Sequence, residues 1–570
     1  MLKMMSSEKF DVYGGNGGAE GQYDFDSEIL NYKKIISNLE KLKSMRDMVI
    51  QDMKKNEISF VIRIHSLIRD WEGQYPNFRK MLRPQEMDWL LTKCVDDKVE
   101  NVISFVIKSG YKDEPEMDEE GKPLLNRSTP LHGVGRYDCY EEVVLDLFKI
   151  YDRFDVNYID ESSFTHFHAA CQYGFDDIVQ KFLELGQDPN ILPPKSAVDF
   201  EGDPVIPPLH LALKQNCRNV VELLLKNGAD PNLATTEGLT PLHVIVRGNY
   251  FDGGLADLFF KICDDENLTD QVNSQDHWGH TPLHWELKED YSYLTELLLR
   301  RGADPSLVNE KGFTPRHLIC KKDVDDGLIK LFFEIIGDVQ KTVQVDAVDK
   351  SGHTPLQWAV ANFLPNTIDV LLDQGADLSS FTFPTVGHFD EKLNPWYNPT
   401  WSKLKFASDT MSVVEHLDKK GYKLDLSDAI TIMNAFDKHE FFKRPANLDE
   451  NWYNDEEFVK GAKEIMVKPN LSVYDMISLR PETVEKSVTF TEMYDFVRSN
   501  KYYEFSETYR EACGTYLCEL PPRRFFKKWA LDPLLELTNY KLPILCCDKI
   551  IEKLQNEDLR RICLAAATQN

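Results

Sequence analysis

A four-residue phrase that returns along the chain limits what these 570 residues can fold into more than any other feature. Thr129-Pro130-Leu131-His132 recurs as Thr240-Pro241-Leu242-His243 and Thr281-Pro282-Leu283-His284. Weaker copies are Thr165-His166-Phe167-His168, Pro207-Pro208-Leu209-His210, Thr314-Pro315-Arg316-His317 and Thr354-Pro355-Leu356-Gln357. Their starts lie 36, 42, 33, 41, 33 and 40 residues apart, so the unit is about 33 residues with insertions in alternate copies. A second phrase closes the units: Gly186-Gln187-Asp188-Pro189-Asn190, Gly228-Ala229-Asp230-Pro231-Asn232, Gly302-Ala303-Asp304-Pro305 and Gly375-Ala376-Asp377. Between the phrases run apolar segments such as Val220-Val221-Glu222-Leu223-Leu224-Leu225. A Thr before Pro supplies an N-cap oxygen, and Pro suits a first helical turn that needs no N–H. Gly after the second helix permits the left-handed residue that ends it. One such unit cannot bury its apolar face alone, so the units must stack.

Two phrases in phase over several copies resemble the ankyrin repeat, and the chain is identified by them as an ankyrin-repeat protein. That resemblance implies a helix, a turn, a second helix and a hairpin-like finger per unit. The expected fold class is all-α: an ankyrin-repeat solenoid followed by a smaller α-helical C-terminal domain. The recurring His residues stand in register with a folding motif, so they read as structural rather than as ligands or catalysts; His166 and His168 occupy the same slot and receive the same reading.

Around the array, residues 1–24 contain Gly14-Gly15-Asn16-Gly17-Gly18 and read as disordered. Residues 25–85 read as a helical N-terminal cap, with Ile36, Leu39, Leu42, Met45 and Ile50 near helical spacing. The repeats are expected over 86–380, opening on a degenerate unit at 86–127. Its finger carries the acidic run Asp113, Glu114, Glu116, Asp118, Glu119 and Glu120 and reads as a solvated loop. A divergent last repeat or linker is expected over 381–424, and an α-helical domain over 425–570.

The formal charge is −28, from 66 Lys and Arg against 94 Asp and Glu, which argues against a nucleic-acid surface. No apolar run approaches the roughly 20 residues that cross a bilayer, so no membrane partner is expected. Eleven scattered cysteines indicate a reducing compartment. The expected location is the cytoplasm, with the nucleus open through the Arg523-Arg524 and Lys527-Lys528 pairs.

No catalytic motif is present: there is no His-Glu-x-x-His, Gly-x-Ser-x-Gly or phosphate loop. Cys513, Cys518, Cys546 and Cys547 lack zinc-knuckle spacing, so neither metal nor cofactor is expected, and the chain reads as no enzyme.

The tail runs Leu542-Pro543-Ile544, an apolar helix through Ile550, Ile551 and Leu554, a break, then Asp558-Leu559. This resembles the first part of an F-box, at 540–567. After ankyrin repeats it is similar to the PRANC domain of poxvirus and parasitoid-wasp proteins, with the third F-box helix missing. Asn451-Trp452-Tyr453, Tyr474-Asp475-Met476-Ile477 and Arg524-Phe525-Phe526-Lys527-Lys528-Trp529 look like the insect branch. The resemblance implies an adapter that recruits targets to a Skp1–cullin ubiquitin ligase. Leu542, Pro543, Ile544, Ile550, Ile551, Leu554 and Leu559 would then meet Skp1; an ordinary packing helix is the other reading of these residues.

Ankyrin proteins bind protein targets through finger tips and inner helices, which implies Thr236, Glu237, Leu239 and Arg247 in one unit here. His277, Trp278, His280, Lys288 and Glu289 follow in the next, then Glu310, Lys311, Phe313, Lys321 and Lys322, and finally Lys350, Ser351 and His353. Trp278 and Phe313 read either as interface anchors or as packing between fingers. Arg316 in place of the core Leu, and Glu286 in place of a small residue, imply a looser or modified array there. The functional expectation is a protein-binding adapter; its rival is an ankyrin scaffold that sequesters a signalling partner with no link to ubiquitin.

Overall fold

The computed structural model describes residues 37, 40–41, 43–50, 60–69, 71, 74–134, 140–192, 206–248, 253–289, 292–390, 399–439, 441, 452–499, 501 and 504–568. The glycine-rich start and the stretch 395–398 lie outside them. The chain forms two compact units, Met1–Asp230 and Pro231–Asn570.

In the first unit four helix pairs follow one another: α1 (Pro84–Asp96) with α2 (Glu100–Lys108), α3 (Pro130–Gly133) with α4 (Glu141–Ile150), α5 (His166–Tyr173) with α6 (Asp176–Glu184), and α7 (Pro208–Lys214) with α8 (Arg218–Lys226). The second unit continues with four more: α9 (Pro241–Arg247) and α10 (Gly254–Asp265), α11 (Pro282–Glu289) and α12 (Ser292–Arg300), α13 (Pro315–Cys320) and α14 (Leu328–Asp338), α15 (Pro355–Ala361) and α16 (Pro365–Asp373). Within each unit, first helices pack on first helices and second helices on second helices. The apolar rows between them, such as Val220, Val221, Leu224 and Leu225, are buried; full burial of each side chain is worth about 1.5–3 kcal/mol. Strand structure among the described residues amounts to isolated bridges and one small hairpin, Met466–Lys468 with Leu471–Ser472, so the class is all-α.

The starts at Thr129, Thr165, Thr240, Thr281 and Thr314 are closed by a Thr–His couple, with Gln357 in place of His beside Thr354 and Pro207 in place of Thr before His210. His243, His284 and His317 accept the backbone N–H of Thr240, Thr281 and Thr314 at Nδ1, at 3.1, 3.2 and 3.1 Å. That contact places the ring proton on Nε2, which donates to the next finger's carbonyl: His280 at 3.0 Å, Phe313 at 3.0 Å and His353 at 3.2 Å. The closing phrase has its own cross-link. Asn190 Oδ1 accepts Asp230 N–H at 2.8 Å, and Asn232 Oδ1 accepts Gln271 N–H at 2.8 Å. The histidines are therefore structural, as their register implied.

The first pair departs from this scheme. Arg127 bridges Asp88 at 2.6 Å and Asp113 at 2.9 Å, while Tyr151 and Tyr158 donate hydroxyls to the same carboxylates at 2.6 and 2.7 Å. Asp113, taken from sequence as part of a solvated finger, is buried in that network. Burial pushes the Asp88 carboxyl above its ordinary range despite Arg127.

Arg316 and Glu286 do not interrupt the array, because the Thr314–His317 couple keeps its geometry. Arg316 is 1% exposed and gives one hydrogen bond, to Gln344 O at 2.7 Å, leaving Nε and Nη1 without a partner. Glu286 is buried and accepts Thr295 Oγ1 at 3.3 Å.

After the repeats, α17 (Pro399–Lys419) packs against α16 and against later helices, including α18 (Leu520–Leu537). Two helices end the chain, α19 (Ile544–Ile551) and α20 (Asn556–Ala567), both against α18. The stretch 425–570 thus shares the second unit with four of the repeat pairs. Cys513, Cys518 and Cys547 are buried as small apolar groups, and burial pushes the Cys518 thiol up to about 12. No helix among the described residues is long and apolar enough to cross a membrane.

Two outcomes follow. Replacing Arg316 by Met removes a desolvated charge at similar bulk, and urea unfolding should show a gain of about 1–3 kcal/mol. Burial also holds the His168, His284 and His317 imidazoles down to about 4, below the unfolded value near 6.5. The unfolded chain then takes up protons that the fold refuses, so stability is full above pH 6.5 and is lost as the pH falls towards 4. Acid in this window also relieves the repulsion of a −28 chain. A melting temperature by circular dichroism that nevertheless drops between pH 7 and 4.5 would report the imidazoles; one that rises would count against them.

Candidate functional site

Four fingers of the second unit are built alike, each a tight turn closed by its first residue. Asp276 Oδ1 accepts Trp278 N–H at 2.9 Å and His280 N–H at 2.8 Å. Asn309 does the same for Lys311 and Phe313, Asp349 for Ser351 and His353, and Thr235 for Glu237 and Leu239. Successive fingers are joined along their backbones: His277 N–H to Glu237 O at 3.0 Å, Glu310 N–H to Trp278 O at 2.9 Å, and Lys350 N–H to Lys311 O at 3.0 Å. Glycine is required at the crossing points. Gly279 and Gly312 have φ of +72° and +78°, and a Cβ there would stand 2.9 Å from Glu310 N and 2.7 Å from Lys350 N.

The inner helices add a row of aromatic rings that sequence reasoning did not select. Trp285 and Trp358 sit four residues after Thr281 and Thr354, half-buried, with indole N–H groups on Asp276 Oδ2 at 2.7 Å and Asp349 Oδ2 at 2.9 Å. Burial pushes the Asp349 carboxyl up, but the N–H groups of His353, Trp358 and Ser351 outweigh it and hold the group below its ordinary value. Arg247 lies 4.5 Å and Lys288 4.8 Å from the Trp285 ring centre. Lys321 lies 3.4 Å from that of Trp358 and 5.6 Å from that of Phe313. Phe313 packs edge-on against Trp358 at 5.8 Å. The signal for this row was the offset from the Thr, once the helix start is known.

Of the residues expected on this face, Arg247, His277, Trp278, Lys288, Glu310, Lys311, Lys350 and Ser351 are exposed, Trp278 at 45%. Thr236, Glu237, His280, Phe313, Lys321, Lys322 and His353 are half-buried, and the side chain of Glu289 lies outside the described residues. Leu239 is buried beneath its finger and offers no surface. Lys322 turns to Asp326 at 3.3 Å. Phe313 is held by its own face, stacked 5.7 Å from His317. A shallow cleft lined by His353, Gln357, Trp358, Phe383 and His388 closes the row.

At the tail the expected contact residues separate into two groups. Ile551, at 3%, and Leu559 are buried with Cys547 and Cys563 in the helical core, so neither can meet a partner as the structure stands. Leu554 is half-buried. Leu542, Pro543, Ile544 and Ile550 are exposed, with Ile544 at 54%. Two residues not selected from sequence extend this ledge, Tyr540 at 70% and Leu545 at 71%. The run Leu542-Pro543-Ile544-Leu545 is apolar all round, and a helix start of that kind has contacts to make on more than one side.

Residues 209–306 and 287–382 match the family model for ankyrin repeats (3 copies), and the chain carries ankyrin repeats. Palmitoyltransferase AKR1 of Lachancea kluyveri is 28% identical over 30% of this chain and 22% of its own length. Neurogenic locus notch homolog protein 1 of Mus musculus is 31% identical over 28% of this chain and 6% of its own. The ankyrin repeat protein FPV031 of fowlpox virus is 30% identical over 27% of this chain and 43% of its own. The chain thus spans less than half the length of each of these relatives. Among solved structures, the ankyrin repeat domain of Bcl-3 aligns at 23% identity over 37% of this chain and 87% of that one, with a TM-score of 0.30. Ankyrin repeats are a protein-interaction module.

Adding a methyl at the ladder's tightest crossing tests the finger geometry. Gly312→Ala should cost roughly 2 kcal/mol or more, from the left-handed backbone and the approach to Lys350 N, read as a lower urea midpoint at unchanged slope.

Proposed function

We propose that the protein is a non-enzymatic adapter in which the inner face of the repeats holds a protein target and the tail docks on a Skp1-type linker of a cullin ubiquitin ligase. The observation that carries the reading is the apolar ledge of Tyr540, Leu542, Ile544, Leu545 and Ile550, exposed on the F-box-like helix. Large apolar side chains left exposed along one short segment suit insertion into a partner's groove. The resemblance to a fowlpox ankyrin protein fits the same kinship. Among the described residues no three His, Cys, Asp or Glu side chains converge on a metal position, and the aromatic face is built for contact rather than for proton transfer. Such an adapter works in the cytoplasm or the nucleus.

The burial of Ile551 and Leu559 favours the rival, a sequestering scaffold whose last helices only pack. The deciding experiment is a pulldown from insect-cell lysate with wild type and the Ile544→Asp, Leu545→Asp double variant. Both substitutions fall on exposed positions, so the fold should be kept. Wild type is expected to retain a Skp1-type protein and a cullin, and the variant to lose both by about tenfold or more. Recovery of neither by the wild type would leave the scaffold standing.

A further inference from the structure

The first finger has an open edge. It begins as a hairpin, with Asp118 N–H on Lys122 O and Leu124 N–H on Glu116 O, both at 2.8 Å. The second strand then runs on and joins the next finger on one side: Arg127 N–H reaches Ile159 O at 3.1 Å, and Ile159 N–H reaches Leu125 O at 2.9 Å. Backbone groups alternate sides along an extended strand, so Asn126 turns its N–H and C=O the other way. Continuing the Met117–Pro123 register would put Glu114 opposite Asn126, but the first strand has left by then. Asp113 gives its N–H to Ile150 O at 2.9 Å, and Arg79 holds the Glu114 carboxylate and Lys112 O. Asn126 N–H and C=O therefore enter no hydrogen bond among the described residues.

Beside this edge lies a cavity of about 450 Å³. Gln85, Trp89 and Thr92, on successive turns of α1, form one wall, and Leu124, Asn126 and Ser128 the other. Asp88 and Arg127 also line it, already bound to each other at 2.6 Å. Glu116 stands in the lining too; its carboxylate accepts Gln85 Nε2–H at 2.6 Å and has no cation on it. Asp118 and Glu119 on the same finger likewise form no ion pair among the described residues, since Arg79 goes to Glu114 and Lys122 to Glu120.

We propose that this groove takes an extended basic segment of a protein partner, which adds a strand to the Leu124–Ser128 edge. The segment's backbone meets Asn126 N–H and C=O, its Lys or Arg side chains meet Glu116, Asp118 and Glu119, and alternate apolar side chains fill the cavity beside Leu124. An unpaired strand edge is a template for another strand, and the uncompensated carboxylates select the sign of its charge. A helix would not serve, because its N–H and C=O groups are already paired within it. The site lies in the first unit, on residues that the adapter reading does not use, so the two stand or fall separately.

The test is fluorescence anisotropy on the intact chain with a labelled peptide of about 10 residues alternating Lys and Val. One control is the same peptide N-methylated along its central residues, which keeps the charge and removes the backbone donors; the other alternates Glu and Val. At about 50 mM salt the Lys–Val peptide should bind about tenfold or more tighter than either control. Asn126→Pro deletes an N–H that the fold leaves unbonded, at an edge where Pro is tolerated. It should weaken binding about tenfold at an unchanged melting temperature, whereas Asn126→Ala should bind as wild type does. Glu116→Gln with Glu119→Gln should also lose about tenfold. No binding of the Lys–Val peptide, equal binding of its N-methylated form or of the Glu–Val peptide, or full binding by Asn126→Pro would overturn the assignment. Should Asn126→Pro melt early, the N-methylated peptide on wild type decides alone.

Discussion

One imidazole in each of three successive repeats of the second unit, His243, His284 and His317, does two jobs, and the joining of those repeats depends on it. In the second unit its Nδ1 takes the N–H of the Thr that opens the helix, and its Nε2–H reaches the carbonyl at the base of the next finger. A single hydrogen bond of this kind contributes only about 0.5–1.5 kcal/mol net. Its removal costs more, because a buried N–H and a buried carbonyl would be left without partners at once. The imidazole must also stay neutral to act as acceptor on one side and donor on the other. Burial secures that state, and so the feature that locks the repeats together is the one that makes them sensitive to acid.

The inner face inherits its order from these couples. Once a Thr and a His settle where a helix begins, the residues four and seven positions later project from the same place in every repeat. Trp285 and Trp358 occupy the first of these positions, Arg247, Lys288 and Lys321 the second. The indole N–H groups then tie each ring back to the Asp that closes its own finger. Finger, helix start and ring form one connected piece, so a partner meets side chains that have already lost their rotamer freedom.

The parts of this arrangement that were legible in the sequence are those with a strict backbone requirement. The Thr-Pro-Leu-His and Gly-Ala-Asp phrases announced helix starts and ends because capping and left-handed turns admit few residue types. The next copy, Thr385 to His388 with Nδ1 accepting Thr385 N–H at 3.1 Å, kept the two polar residues but lost Pro and Leu, and so the sequence pointed only to a divergent last repeat or linker there, not to this couple. The Asp88–Arg127–Asp113 network joins residues up to 39 positions apart, and no local pattern marks such a pairing. One of its acids, Asp113, was hidden in a run that otherwise looks solvated. At the tail, helical spacing put Ile544, Cys547, Ile551 and Leu554 on one face, of which Cys547 and Ile551 are buried and Ile544 is exposed. The structure buries Ile551 and exposes Leu545, a residue that the F-box-like pattern did not single out.

Within the second unit one long helix connects the last repeat pair to the helices that follow it. α17 lies between the last repeat pair and the terminal helices, tied to α16 by His416 on Asp369 at 2.8 Å and by Lys420, just past its end, on Asp373 at 2.6 Å. On its other side Asp409 meets Arg498 at 3.2 Å, and Glu415 accepts the Thr491 N–H at 3.1 Å. The buried face of this helix carries Ser408, Asp409, Thr410 and Ser412, and the hydroxyls of Ser408, Thr410 and Ser412 are left without a hydrogen-bond partner. An apolar helix of the same length would pack more favourably but could slide or rotate with little penalty. The directed contacts are those of His416, Lys420, Asp409 and Glu415, and they set the register of α17 between the last repeat pair and the segment that carries Thr491 and Arg498. The stability given up at those unpartnered hydroxyls is offset by ion pairs that hold the helix in place.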